Sequence, residues 1–429
     1  MRCKMAHNSM AVSPRAEVSE SFPALQQEIA RLAATPEVRS AFAWFLSQEA
    51  QLAEWQLQLA RIPAPPFGEQ ARSSWLLERF LDLGLKDVHS DEIGNVFGVY
   101  PGGEGKYVAV SAHIDTVFPA GTPLNVRQQG QRLYGPGVSD NGAGLTALLA
   151  MAAVLGASWL KLAAPILFIA DVGEEGEGDL RGMRQIFSDR KWEESIGCSL
   201  ILDGAGSDTI VAEAVGSRRF EIILRGPGGH SWSDFGAPNP IVALARAIDL
   251  FAQTPAPASP KTTFNIGVIR GGTSVNSIPE SASMRVDIRS TSTAEIESLE
   301  KVLRSALDQA VEEASRAAES RTPAPRRTPG LDLEVVMIGN RPGGELLPDA
   351  RILQVIRAVD AHLGNVAQVQ RASTDANIPL SLGREAIAIG GGGTGGGAHT
   401  LQEWFDCSGR ELGLKRILLT LLALAGGSA

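Results

Sequence analysis

Between residues 95 and 203 the sequence keeps returning to one pattern, a short and almost purely apolar run followed by a polar or glycine-rich turn. Runs 95–100 and 107–112 read as strands, and 165–170 and 199–202 are short and nearly all apolar. A strand with one wet face alternates apolar and polar residues. Runs that are apolar throughout therefore predict strands covered on both faces by helices. A helix is predicted after Asp140, and the stretch 143–155 is apolar enough to be one of those covers. The expected fold is α/β: a mixed, mostly parallel sheet sandwiched by helices. In open sheets of this kind ligands gather at the carboxyl ends of the strands.

Upstream, residues 22–62 suit helices, with Phe42, Phe45, Leu46, Leu52 and Trp55 at helical spacing until Pro63, Pro65 and Pro66 stop the run. Another helix is predicted over 70–83, with Trp75, Leu76, Phe80 and Leu81 facing inward. The pattern changes after Val215. Runs 218–224, 263–269, 283–289 and 331–338 read as strands, a helix is predicted over 294–319, and 321–329 is a Pro- and Arg-rich loop. These features predict an inserted α+β domain, 216–340, between two parts of the first domain, 36–215 and 341–429. Residues 1–35 form an N-terminal extension, flexible over 1–20. A helix over 349–363, a last strand over 386–389 and a C-terminal helix complete the first fold.

The formal net charge of -9 argues against nucleic acid and anionic membranes as partners. No apolar run reaches the roughly 18 residues needed to cross a bilayer. Residues 1–20 carry charges and no apolar h-region, and Cys3, Cys198 and Cys407 are too few and scattered for a disulfide framework. A cytoplasmic protein is expected.

The residues just beyond each strand carry the chemistry. His113 closes the run 107–112, and Asp115 lies two residues on, facing the same way in extended chain. That permits a metal ligand and a carboxylate supporting its ring, although alone the pair is as readily an ordinary loop. Asp140, just before a helix, reads either as an N-cap or as a bridging ligand. Glu174 and Glu175 follow the run 165–170. Carboxylates clustered there repel unless a cation compensates, and two neighbours can divide the roles of ligand and general base. Asp203 ends the run 199–202, and His399 follows the glycine-rich 390–397. Five ligand groups at one edge of one sheet predict two divalent ions. Histidine and carboxylate without thiolate favours catalytic zinc, with cobalt or manganese as alternatives.

These motifs resemble the M20 metallopeptidases, which include peptidase T, glutamate carboxypeptidases and acetylornithine-type deacylases. The resemblance runs from about residue 45 to 425 and rests on His-Ile-Asp at 113–115, Ser-Asp-Asn-Gly-Ala-Gly at 139–144, Glu-Glu at 174–175 and Gly-Gly-Gly-Ala-His at 395–399. It implies Asp140 as bridge, Glu174 as general base acting on a water between the ions, and Asp115 as support. One ion would take His113 and Asp203, the other Glu175 and His399. It further implies a homodimer through the inserted (lid) domain. His230, in Gly-Gly-His-Ser, would then stabilise the oxyanion, often across subunits. Asn276 and Arg289 would hold substrate polar groups. Read alone, these three are an exposed turn histidine, a turn asparagine and a surface arginine.

Asp rather than Glu at 203 resembles the peptidase-like members and favours small peptides as substrates; the runner-up is hydrolysis of N-acyl amino acids. The stretch beginning at Glu175 is longer and more acidic than the family's usual loop. Gly391-x-Gly393-x-x-Gly396 satisfies the bare dinucleotide fingerprint but lacks the βαβ unit that nucleotide binding needs. Glycines such as Gly396 and Gly397 are better read as letting backbone approach the substrate. No nucleophile elbow accompanies a triad. A non-catalytic peptide or amino-acid binder is the reading from another class, opposed by the filled ligand and base positions.

Overall fold

The computed structural model describes residues 22–157, 160–321 and 330–428. The expected flexible segment 1–20, Cys3, His7 and residues 322–329 of the Pro/Arg-rich loop lie outside them. The larger sheet has nine strands. Four central strands run parallel, in the order Ile166–Asp171, Tyr107–His113, Ile196–Leu202 and Glu385–Ile389. Val96–Tyr100 and Lys86–Ser90 extend one side antiparallel, and Thr209–Ala214 pairs antiparallel on the other. The sheet is thus mixed, with its parallel pairing concentrated where the apolar runs lie.

Period-2 geometry sends alternate residues of each central strand to opposite faces. Val108, Val110, Ile166, Phe168 and Leu200 pack into the main core. That core is covered by helices Phe22–Ala34, Gly142–Gly156, Arg351–Leu363 and Arg410–Leu424. Ala109, Leu167 and Ile169 face the other way, against Met183, Ile186 and Phe187 of the helix Arg181–Ser188. Full burial of such a side chain contributes about 1.5–3 kcal/mol, so both faces need their covers. Residues 22–34 of the expected extension belong to this core through Leu25, Ile29 and Leu32.

The inward assignment of Leu81 fails, and Leu46, at helical spacing with the apolar positions around it, also points outward. Leu46 is 60% and Leu81 55% exposed, while Phe45 and Phe80, one position away, are fully buried. Residues one position apart are about 100° apart on a helix, and the stripe facing the core is narrower than that run of apolar residues. The run 386–389 is also not the last strand. Thr394–Gly396 and Trp404–Asp406 come after it and join Arg132–Tyr134 and Arg127–Gln129 in a small antiparallel sheet.

A second sheet begins at Gly216 and ends at Arg341. Its strands, Thr262–Gly271, Ser281–Ser290, Gly216–Arg225 and Asp332–Arg341, are all antiparallel in that spatial order. Phe220, Ile222, Met284, Val286 and Ile288 point to a separate core beneath helices Pro240–Ala252 and Thr293–Arg321. Arg219, Asp287 and Arg289 alternate with them and so lie on the opposite face. No helix among the described residues is long and apolar enough to cross a membrane.

Candidate active site

Five segments converge at the carboxyl edge of the parallel strands. His113 ends one strand, and Asp203 directly follows another. Asp140 precedes Asn141, whose side chain caps the helix Gly142–Gly156 by accepting the N–H of Gly144 at 3.0 Å. The cap is therefore Asn141, and the Asp140 carboxylate is left for other partners. Its Oδ1 lies 3.2 Å from His113 Nε2 and its Oδ2 3.1 Å from His399 Nε2. His113 Nε2 is 3.8 Å from Asp203 Oδ1, and His399 Nε2 is 3.0 Å from Glu175 Oε1.

Ligand atoms of His113, Asp140 and Glu175 all lie within 4.8 Å of one another. Two imidazoles and three carboxylates pointing at one small volume suit divalent cations such as zinc. Without a cation the imidazoles take up the charge. Burial opposes a charged His113, yet hydrogen bonds to Asp115, Asp140 and Asp203 raise it well above its ordinary value. Hydrogen bonds to Asp140 and Glu175 push His399 up to about 10. Burial works against an ionised Asp140, but His113 and His399 hold it below the usual carboxylate range.

Asp115 is fully buried and does more than face the His113 ring. His113 Nδ1 is 3.1 Å from the Asp115 carbonyl and 3.6 Å from its carboxylate. The carboxylate accepts the N–H of Glu174 at 2.9 Å and of Glu175 at 2.8 Å. It therefore ties the His113 strand to the turn bearing both glutamates. Glu174 meets Arg341, whose Nη1 donates to Glu174 Oε1 at 2.9 Å and to Ser373 Oγ at 3.2 Å, and whose Nη2 donates to the Glu174 carbonyl. Burial, against the Arg341 charge, pushes Glu174 up to about 8.

A cavity of about 360 Å³ opens over this cluster, lined by Asp140, Glu174, Glu175, Asp203 and His399 together with Arg219, Arg289, Arg341 and Ser373. Arg219 and Arg289 share Asp287, at 3.1 and 2.6 Å. Other expected residues stand apart from that lining. His230 is exposed, its Nδ1 accepting the N–H of Trp232 at 3.2 Å. Asn276 is exposed beside it, its carbonyl accepting the Ser231 N–H at 3.0 Å. A Cβ at Gly396 would lie 2.8 Å from the Trp404 ring, so packing already requires glycine there. Gly397 adopts φ +69° in the turn leading to His399.

Sequence reasoning missed Arg341, Arg219, Ser373 and Glu403. Neither thiol among the described residues is a candidate nucleophile, since burial pushes Cys198 up to about 12 and Cys407 up to about 11.

Residues 109–423 match the family model of peptidase family M20/M25/M40. The chain belongs to that family. As a member of M20 it is a hydrolase of amide bonds in a metal-dependent family. It is 23% identical over 301 residues to carboxypeptidase G2 of a Pseudomonas species, a match covering 66% of this chain and 68% of that one. It is 28% identical over 276 residues to a probable carboxypeptidase of Ajellomyces dermatitidis, covering 59% and 61%. The chain thus spans about three fifths to two thirds of these relatives' length. Among solved M20-like folds, a tripeptidase from Staphylococcus aureus superposes with a TM-score of 0.70 at 21% identity, covering 88% of this chain and 99% of that one.

Proposed function

We propose that this M20 protein is a dinuclear metallopeptidase of small peptides, with zinc as the first-choice metal. The observation that carries the reading is Asp140, whose two oxygens face His113 and His399 at 3.2 and 3.1 Å. A carboxylate so divided is suited to bridge two ions. His113 and Asp203 would hold one, and Glu175 and His399 the other. When bound, the ions would activate water and polarise the scissile carbonyl. Glu174 would take the proton from the attacking water and pass it to the leaving nitrogen. Arg341 orients Glu174 through two hydrogen bonds. Arg289 offers its free N–H groups to a terminal carboxylate. Asp115 holds the Glu174–Glu175 turn in place.

His230 stands outside the cavity lining of its own chain, on a lid loop with Trp232 87% and Phe235 75% exposed. A homodimer would cover those rings and let the partner subunit's His230 serve as an oxyanion donor. Asn276 sits on the same loop cluster and would act with it.

The test is a panel of di- and tripeptides and N-acyl amino acids with mass-spectrometric readout, with and without chelator. Peptide turnover that a chelator abolishes and zinc restores is expected. Chelator-insensitive or absent turnover by a metal-free protein would reject the enzyme reading. Turnover of the acylated compounds alone would favour the amidohydrolase reading. The free Arg289 N–H groups over the cavity also suit that substrate, since N-acyl amino acids and dipeptides alike carry a carboxylate on the carbon bonded to the leaving nitrogen.

A further inference from the structure

Glu403 belongs to no part of the ligand set, yet it is fully buried four residues beyond His399. Its Oε2 accepts the main-chain N–H of Gly137 at 2.8 Å. Its Oε1 accepts those of Ser139 at 2.7 Å and Asp140 at 2.8 Å. Its carbonyl accepts a fourth, from Gly135, at 3.1 Å. Every one of these bonds goes to the turn that delivers Asp140, and Glu403 itself lies on the segment that delivers His399. Those two ligands are 259 positions apart in sequence, and their side chains meet at 3.1 Å.

The geometry points to Glu403 as a positioning residue that fixes Asp140 against His399 and so sets the affinity for the ion on the His399 side; this rests on the dinuclear reading above. Both carboxylate oxygens are occupied by N–H donors, so the residue acts through Asp140 and is not itself a ligand. Hydrogen bonds to an ionised acceptor are roughly twice as strong as neutral ones. A buried N–H deprived of its partner costs about 1–3 kcal/mol, which is enough to let the turn shift. A ligand that shifts by more than about 0.2 Å departs from normal coordination distances and holds its ion more weakly.

Glu403→Gln keeps the size and one acceptor oxygen but turns an amide NH2 toward N–H donors. Glu403→Asp keeps the charge and is too short to reach the whole turn, and it carries the test if the first variant fails to fold. Full-length protein stripped of metal is titrated with zinc alone by calorimetry, with circular dichroism confirming the fold. A His399→Ala control identifies which binding step belongs to the His399 side. That same step is expected to weaken about 10–100-fold in the Glu403 variant, as when residues that orient metal ligands are changed, with the other step shifting less. A folded variant with both steps at wild-type affinity, or one that weakens only the other step, overturns the inference. Wild-type protein that takes up no zinc sinks the dinuclear reading, and this inference with it.

Discussion

Replacing Glu174 in two ways separates its proposed chemistry from its structural bond. Glu174→Gln keeps an oxygen for Arg341 Nη1, now at 2.9 Å, but can no longer take a proton. Glu174→Ala removes both and leaves the buried Arg341 guanidinium without its carboxylate. Loss of a general base costs about 10²–10⁴ in rate, or roughly 3–5 kcal/mol of barrier, so both variants should fall equally in kcat. Their stabilities should differ. Breaking a buried ion pair costs about 3–5 kcal/mol. The lower end applies here, because Arg341 keeps Ser373 Oγ and the residue-174 carbonyl. The burial that pushes Glu174 up to about 8 also offsets part of the pair's contribution. At roughly 2–4 °C per kcal/mol, the alanine variant should melt on the order of 10 °C lower, and the glutamine variant only slightly lower. Turnover of the best panel substrate, metal content by atomic spectroscopy and a thermal melt make the comparison. A glutamine variant that keeps activity within about tenfold of wild type would reject Glu174 as the base. Metal lost from either variant would make Glu174 a ligand instead.

Three further outcomes are expected. In metal-free protein the His399 pKa is raised from 6.5 to about 10, so its stabilising effect is complete below pH 6.5 and is lost as the pH rises toward 10. Melts with chelator should therefore fall across that window while zinc-saturated protein stays level, and parallel curves would reject the pairing with Asp140 and Glu175. His230→Ala should lower kcat by about 10²–10³, the usual cost of one oxyanion donor, without loss of metal; an unchanged rate rejects the role. Arg416→Met removes the Arg416 donors to the buried Asp360, now at 2.6 and 2.8 Å, while Asn365 Nδ2 stays at 2.8 Å. It should cost about 3 kcal/mol, the lower end for a broken buried pair, in chemical denaturation with specific activity unchanged. A loss under about 1 kcal/mol would show that the pair is no stronger than a surface one.

The strands, their carboxyl edge and the five candidate ligand positions were legible because each arises from local chain chemistry. A strand buried on both faces must be apolar throughout, and a polar residue ending it has few places to go. Leu81 was misread because hydrophobicity alone does not give the width of a helix's buried stripe, and Leu46 is exposed for the same reason. Asp140 looked like the helix cap, whereas its neighbour Asn141 takes that position and frees the carboxylate. Glu403 and Arg341 were invisible for a different reason. Their partners lie 263 and 167 positions away, and neither sequence separation nor residue type marks such a bond in advance.

The acidic stretch after Glu175 gains a physical reason from the same long-range bonding. Asp179 accepts the Asn340 N–H with both oxygens at 3.1 Å, in a turn where Asp179 and Leu180 both adopt positive φ. Arg184 donates to the Asp179 carbonyl at 2.8 Å and also to the Asn340 carbonyl. Arg219 donates to the Gly176 carbonyl at 3.0 Å, and Arg285 lies 3.4 Å from Glu177. A short loop could not make all these bonds. Its extra residues fasten the turn bearing Glu174 and Glu175 to the base of the second sheet, where Arg341 also reaches Glu174. The exposed pairs among them contribute little stability individually, but together they fix geometry. The crossing at Arg341 is thereby bonded directly to the turn that bears the proposed base and one proposed ligand.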